Sequence, residues 1–275
     1  MLNMVSLGLL SIIVGFIGSL TGIGGASILV PILVLLGIPL KEAIACGMVA
    51  IIATSSGSAS SYVRERIANV RIAMFLEMFT ITGAIAGATI TLYIAPVFLY
   101  FFFAAFLMTS FLGLRRSITE YTPPSGQDKL SRWLQLHGSY FDEATKEPVE
   151  YRVNNALFGG LGMLGAGLAA GMLGIGAGAF KVTVMENILR MPPKVSSTTS
   201  NFIIGMTALA GVSVYLSSGL LNLTIMAPMA VGTTIGAVIG GRILNRLSNK
   251  TLRILFYVIV VYLIVQMVYK GITAL

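Results

Sequence analysis

Long uncharged runs dominate the hydrophobic pattern of the chain. Residues without Asp, Glu, Lys or Arg cover 4–20, 43–63, 96–114, 153–180, 195–241 and 254–269. The segment 72–92 carries a single charge, Glu77. A helix needs about 20 apolar residues to cross a bilayer, and 195–241 is long enough to cross twice. Segments in lipid must be helical, because unpaired backbone groups are costly there. The pattern predicts an all-α polytopic membrane protein.

The same pattern occurs twice along the chain. The pentapeptide that starts at Gly22 (GIGGA) returns at Gly174 (GIGAG), and Asn69 corresponds to Asn222. The segment 26–37 after the first glycine turn would be only about 18 Å long as a helix, too short to cross alone. We predict two inverted repeats, each a broken-helix (re-entrant-like) hairpin followed by three transmembrane helices. The repeats are assigned to 1–114 and 153–275, joined by a connector at 115–152.

The basic residues predict the orientation, since Lys and Arg concentrate in cytoplasmic loops. If each glycine turn closes a hairpin, nearly all basic residues fall on one face, in the loops at 64–71, 115–152, 190–194 and 242–253. Single interrupted crossings would divide them more evenly. The hairpin arrangement is therefore preferred. It predicts a multi-pass membrane protein with a cytoplasmic connector and extracytoplasmic termini.

Composition excludes several function classes. Charged residues make up 10% of the chain and its mean hydropathy is +0.90, whereas soluble proteins carry roughly 25% charged residues. The net charge of +8 lies in the loops rather than in a nucleic-acid-binding patch. Cys46 and His137 are single residues of their types, which excludes an intramolecular disulfide and argues against a Cys-rich or His-based metal site. No catalytic constellation can be assembled, so we predict neither an enzyme nor a cofactor.

The connector is the one sizeable polar segment. Residues 139–141 and 149–153 alternate in polarity around 142–148, which predicts a small β-hairpin. The segment is too small to bury an independent core. It is interpreted as a linker, with an interaction or regulatory role as the alternative.

Several segments together resemble the TauE/SafE family of anion exporters. They are 37–43 (GIPLKEA), 53–56 (ATSS), 174–178 (GIGAG), 181–182 (KV) and 199–207 (TSNFIIGMT). The resemblance covers nearly the whole chain outside the connector. It implies transport of sulfite or related sulfur-containing anions, such as organosulfonates, across the plasma membrane.

Duplicated glycine breaks are typical of secondary transporters, whose substrate site lies between the two halves. Each break frees backbone N–H groups at the start of a short helix, where they and the helix dipole attract an anion. The alternative is that glycine only allows close packing, which we prefer for Gly83, Gly87, Gly236 and Gly240. The candidate binding residues at the breaks are Gly22, Gly24, Gly25, Ser27, Gly174, Gly176 and Gly178.

Two clusters of neutral donors follow the breaks. Such donors bind a mobile oxyanion without the tight grip of an arginine clamp. The alternative is hydrogen bonding within or between helices. The candidates are Thr54, Ser55 and Ser56, with Ser58 beside them, and then Thr199, Ser200, Asn201 and Thr207.

Two charges lie inside apolar runs. Lys181 follows the second glycine turn and is a candidate anion-binding cation. Alternatively it pairs with Glu186 or extends to the interface, and Glu186 alternatively pairs with Arg190 at helical spacing. Glu77 is a candidate proton carrier, with a helix-end pair with Arg71 or Arg66 as the preferred alternative.

The leading hypothesis is export of sulfite or an organosulfonate by alternating access. One alternative is a transporter of the same fold for another ion or small solute. Another is a membrane scaffold that acts through 115–152 and transports nothing. The partners expected are the anion and the bilayer, with no nucleic acid; a homodimer is left open.

Overall fold

A computed structural model describes residues 4–21, 25–64, 69–115, 126–142, 146–244, 261–262 and 264–273. Most of this part is helical. The elements in chain order are α1 Met4–Thr21, α2 Ala26–Leu35, α3 Leu40–Arg64, α4 Val70–Tyr93, α5 Pro96–Arg115, α6 Lys129–Trp133, β1 His137–Asp142, β2 Glu147–Arg152, α7 Ala156–Leu173, α8 Gly178–Asn187, α9 Pro193–Ser217 and α10 Leu223–Leu244. Residues 261–262 and 264–273 are also helical.

Several helices are long and apolar enough to cross a membrane. They are Val70–Tyr93, Ala156–Leu173, Pro193–Ser217 and the part of α10 from Leu223 to Gly240. The shorter apolar helices include Ala26–Leu35, as expected after the first glycine turn. The prediction of an all-α polytopic membrane protein is confirmed.

The short helix α2 ends two residues earlier than its apolar run. Gly37 has a φ of +89°, a conformation that favours glycine. The Ile38 N–H then reaches back to the Leu33 carbonyl at 3.0 Å and satisfies a helix-end acceptor. This glycine cap stops α2 at Leu35 and frees the chain to start α3.

Helices α3 and α9 are antiparallel. Ser55, late in α3, donates a hydrogen bond to the carbonyl of Asn201, early in α9, at 2.7 Å. Toward the other end, a Cβ on Gly211 of α9 would lie 2.7 Å from the Met48 side chain of α3. These contacts fix the register in which the two helices cross.

Helices α4 and α7 run in the direction of α9. The Lys41 amine at the start of α3 donates to the Leu92 carbonyl near the end of α4 at 2.8 Å, so α3 and α4 are antiparallel. A Cβ on Gly167 of α7 would collide with Thr80 of α4, and one on Gly171 would collide with Ala84. The contacts advance together along both helices, so α4 and α7 are parallel.

Helices α1 and α10 run in the direction of α3. A Cβ on Gly232 would meet Gly8, and one on Gly236 would collide with Ile12, so α1 and α10 are parallel. The first residues of α10 and of α3 line one cavity, and the two helices pack against each other.

Helices α1, α3 and α4 therefore run opposite to α7, α9 and α10, respectively, the helices at the corresponding places of the second predicted repeat. Inverted repeats require these directions. The inverted repeats and their placement relative to the membrane stay predictions.

The connector contains the predicted hairpin. Strands β1 and β2 pair antiparallel, with Tyr140 opposite Val149. Its inner face packs on the start of α4, where Tyr140 and Tyr151 join Ile72 and Leu76 in one buried cluster. The hairpin has too few apolar residues to form its own core, so its apolar side chains are buried against the membrane helices.

One side chain ties the hairpin to α4. The Asn69 side-chain oxygen caps α4 by accepting from the Ile72 N–H at 3.2 Å. Its amide nitrogen donates to the His137 carbonyl at 3.1 Å and to the Tyr151 hydroxyl at 3.0 Å.

Candidate functional site

The second glycine turn is a left-handed backbone segment between two helices. Gly174, Gly176 and Ala177 have φ values of +65°, +73° and +53°. Gly174 closes α7 through its N–H to the Ala170 carbonyl at 2.9 Å. Ala177 precedes α8, which begins at Gly178 without a side-chain cap. The first turn of α8 therefore presents backbone N–H groups, the feature predicted for an anion site.

The first turn is described in part, since Gly22 and Gly24 lie outside the described residues. Gly25 precedes α2, and a Cβ on it would lie 3.2 Å from the Val14 carbonyl oxygen and 3.6 Å from Gly15 Cα. Residues ten positions apart in one continuous helix would be about 15 Å apart. Helix α2 therefore does not continue α1 in a straight crossing, as the hairpin prediction requires.

The start of α2 and the second glycine turn both lie beside Gly47 of α3. A Cβ on Gly47 would lie 3.5 Å from the Ala26 Cβ at the start of α2 and 2.9 Å from the Gly174 carbonyl oxygen. Helix α3 fits between the start of α2 and the second glycine turn because Gly47 has no side chain. The structure therefore brings the start of α2 close to the second glycine turn.

The hydroxyl cluster of α3 makes local and interhelical hydrogen bonds. Thr54 donates to the Ile51 carbonyl at 3.0 Å, and Ser56 donates to the Ile52 carbonyl at 2.7 Å. Ser55 instead bonds across to α9. These contacts match the structural alternative for Thr54 and Ser56, whose hydroxyls stabilise their own helix. Ser27 of α2 is buried. Ser58 lies in α3.

The α9 cluster lies beside the second turn. Ser200 donates to the Gly178 carbonyl at 3.3 Å and fixes the start of α8 against α9. The Ser196 and Thr199 hydroxyls are buried and have no hydrogen-bond partner within the described part of the protein. Asn201 is half-buried. Ser196 was not among the residues predicted from the sequence, although it lies one helical turn before Ser200.

Lys181 and Glu77 belong to one buried network centred on Thr207. The Lys181 ammonium donates to the Thr207 hydroxyl at 2.7 Å. That hydroxyl lies 3.1 Å and 3.3 Å from the two Glu77 carboxylate oxygens. Thr80 donates to the same carboxylate at 2.9 Å. The exposed fractions of Lys181, Glu77 and Thr207 are 0%, 2% and 1%, so both charges are held away from solvent.

Of the two preferred partners for Glu77, Arg71 was wrong and Arg66 stays untested. Arg71 donates instead to the Gln135 side chain of the connector at 2.7 Å, and Arg66 lies outside the described residues. The Glu77 carboxylate instead reaches α9, where the Thr207 hydroxyl donates to it at 3.1 Å. Sequence analysis did not identify Thr80, although its spacing of three residues from Glu77 is a helical neighbour signal.

The alternatives for Lys181 were wrong as well. A fully buried ammonium does not extend to the interface, and its hydrogen bond goes to Thr207 rather than to Glu186. The helical pairing of Glu186 with Arg190 is also wrong, because α8 ends at Asn187 and Arg190 has a φ of +55°. Helical spacing reveals only neighbours within one helix, whereas Thr207 approaches from α9.

The other glycines are packing residues, as predicted. A Cβ on Gly83 would collide with the Leu164 carbonyl, and one on Gly87 with the Leu168 carbonyl. A Cβ on Gly236 would collide with the Ile12 carbonyl. Gly240 is buried in α10.

The family follows from comparison with known proteins. The sulfite exporter TauE/SafE family model matches residues 7–267. The chain belongs to this family. As a TauE/SafE member it is a membrane transporter, which agrees with its several apolar helices.

Two relatives of the TauE/SafE chain come from Bacillus subtilis (strain 168). It is 24% identical over 279 residues to the probable membrane transporter protein YunE, with 98% of this chain and 99% of the relative covered. It is 25% identical over 248 residues to the probable membrane transporter protein YdhB, with 89% and 90% covered. No solved structure matches the chain.

Proposed function

We propose that the protein exports a small sulfur-containing anion, sulfite or an organosulfonate, by alternating access. The observation that carries the proposal is a fully buried ammonium, Lys181, one helical turn after a left-handed glycine break. A buried cation is costly unless it is paired, and within a membrane segment it marks a substrate or ion pathway. The family description adds the chemical class of the anion.

The groups around Lys181 suit a tetrahedral or pyramidal oxyanion. The first turn of α8 contributes backbone N–H groups and the positive end of the helix dipole. Ser196 and Thr199 are buried hydroxyls that still have hydrogen-bonding capacity. Backbone N–H groups, hydroxyls and an ammonium can each donate to a different oxygen of the anion. We assign the substrate to the space between the second glycine turn, the start of α8 and the first half of α9.

The proposed site also includes the first break. Ala26 at the start of α2 approaches Gly174 through Gly47, so the two broken-helix hairpins share one interior. In the proposed cycle, the two inverted repeats rock against each other and expose this interior to the cytoplasm and then to the outside. The plasma membrane, the cytoplasmic connector and the extracytoplasmic termini belong to the same proposal.

A cation is the less favourable cargo. Glu77 is already balanced by Lys181 through Thr207. Among the residues described, no group of three His, Cys, Asp or Glu side chains could hold a metal ion.

The test is transport by the purified protein in liposomes. Vesicles loaded with ³⁵S-sulfite, and with a panel of labelled sulfonates, should release at least one of these anions faster than protein-free vesicles. Replacing Lys181 by Met should abolish release, whereas Lys270→Met, near the C-terminal end, should leave it unchanged. Absence of release for every sulfur anion would contradict the proposal.

A further inference from the structure

We infer that each transported anion moves together with one proton carried by Glu77, so that the protein is a proton–anion symporter and exports whenever the outward anion gradient exceeds the inward proton gradient. The inference rests on the proposed function and names its coupling ion. It follows from the contacts among Glu77, Thr207 and Lys181.

Lys181 and Glu77 carry opposite charges that balance each other in the buried interior. Lys181 and Glu77 are both buried, and Thr207 joins them by hydrogen bonds. The charged pair is balanced when no anion is bound. A monovalent anion at Lys181 adds a negative charge to a region that excludes water, which is strongly unfavourable unless another charge compensates it. Protonation of the Glu77 carboxylate restores the balance.

Glu77 is the group placed to accept this proton. The side chains that contact its carboxylate are the neutral Thr80 on α4 and Thr207 on α9. Helix α7, which packs on α4, contains no charged residue. The Arg71 guanidinium is bonded to Gln135 in the connector. Lys181, from α8, is therefore the charge that faces Glu77 in the described part of the protein.

The other charges on the packed helices lie away from this pair. Lys194 is at the start of α9, about 20 Å along the helix from Thr207. Glu186 lies five residues beyond Lys181 on α8, and five residues turn the helix by about 140°. Lys181 points to Thr207, so Glu186 lies on another face of α8.

Thr207 provides a local switch between the two protonation states. Its hydroxyl has one proton, and two acceptors lie within reach: the Glu77 carboxylate at 3.1 Å and the Ile203 carbonyl at 2.9 Å. With Glu77 ionised, the proton points to the carboxylate. When Glu77 is protonated, the Thr207 proton can turn to the Ile203 carbonyl. Lys181 then no longer faces a carboxylate charge, and its ammonium can pair with the anion.

The coupling has a thermodynamic signature. A monovalent anion that moves with one proton carries no net charge across the membrane. Its equilibrium accumulation should change tenfold per unit of pH difference and should not depend on membrane potential. A bare monovalent anion should show the reverse, with about a 50-fold change per 100 mV.

The experiment measures equilibrium accumulation of ³⁵S-isethionate, a monovalent sulfonate, in proteoliposomes of the full chain. Potential is clamped with potassium and valinomycin, and the pH difference is set independently. The expected result for the unmodified protein is a tenfold change per pH unit and less than a twofold change over 100 mV. Accumulation that follows potential and ignores pH would overturn the inference while leaving the proposed function intact.

Absence of isethionate movement has a separate meaning. If ³⁵S-sulfite moves under the same conditions, symport of sulfite must produce internal alkalinisation or acidification in step with its flux, read by an internal pH dye. Sulfite flux without proton movement overturns the inference. If neither anion moves, the proposed function fails and the inference fails with it.

Variants assign the proton to a residue. Glu77→Gln should lose the pH response, because an amide cannot bind the proton, whereas Glu77→Asp should retain it. Glu186→Gln removes another buried carboxylate and should retain the tenfold response. A folded Glu77→Gln that still accumulates isethionate tenfold per pH unit would overturn the assignment. Loss of the response in Glu77→Asp with flux retained would do so too.

Discussion

The Thr207 hydroxyl accepts a hydrogen bond from the Lys181 ammonium at 2.7 Å. This contact joins α9 to α8 in the buried interior, and the same hydroxyl reaches Glu77 on α4. One oxygen atom of α9 therefore connects α9 to both α8 and α4. A hydroxyl suits this position because it can accept from the cation and donate to the carboxylate at the same time.

Replacing Thr207 by Val should destabilise the protein by about 1–3 kcal/mol, because the substitution keeps the shape and leaves buried charged groups less well paired. Thr207→Ser should retain most of the stability. The matched control is Thr233→Val in α10, whose buried hydroxyl bonds its own helix at the Met229 carbonyl at 2.8 Å. Thermal unfolding in detergent measures the difference. Equal stability of the two Val variants would contradict the bridging role.

The two charges should act as a unit. Lys181→Met leaves the Glu77 carboxylate buried without its counter-charge, which costs about 3–5 kcal/mol. The double variant with Glu77→Gln removes both charges and should be more stable than the sum of the single effects implies. We expect a coupling free energy of about 0.5–3 kcal/mol from the four unfolding curves. Additive effects would mean that the two charges do not interact.

Glu77, Lys181 and Thr207 each stood out in the sequence as separate candidates, but the contacts among them were not predicted. Glu77 and Lys181 each stood out as a single charge in an apolar run, which is a local property of the chain. Their contact depends on Thr207, which is 130 residues from Glu77 in sequence. No periodicity carries that information, because the approach of α4 and α9 results from packing. Inspection of one helix could therefore supply only Arg71 or Arg66 as partners for Glu77.

Backbone features were more predictable. The β-hairpin followed from the alternation around 142–148, since alternation is the period of a half-buried strand. The break at Gly174 was predicted from the glycine-rich segment 174–178. The left-handed conformation of Ala177 was not predictable, because a residue with a Cβ seldom adopts a φ of +53°.

Close packing of α7 on α4 can be tested with two glycines on one helix. A Cβ on Gly167 would collide with the Thr80 backbone, which cannot move aside, whereas one on Gly165 meets nothing within 4 Å. Gly167→Ala should lower the unfolding temperature by several degrees and disturb the position of Thr80. Gly165→Ala should be neutral or stabilise by up to about 1 kcal/mol, because alanine favours the helix. Similar losses in both variants would contradict this packing.

The connector should be held in place by Asn69. Asn69→Ala removes the cap of α4 and both hydrogen bonds to the hairpin, and should cost about 1–2 kcal/mol. Asn69→Asp keeps the capping oxygen and removes the donor to His137 and Tyr151. We expect faster amide exchange at 137–152 in both variants and at 70–76 mainly in the Ala variant. Unchanged exchange in the hairpin would show that apolar packing alone holds it.

The predicted orientation can be tested by cysteine labelling, because Cys46 is buried and can be replaced by Ala. Single cysteines at Val5 and Thr273, which are exposed, report on the two ends of the described chain. A cysteine at Lys146, between the strands of the hairpin, reports on the connector. A membrane-impermeant maleimide should label positions 5 and 273 in intact cells, and position 146 only after permeabilisation. The reverse pattern would place the basic loops outside and would contradict the orientation, because it would leave the positive-inside distribution unexplained.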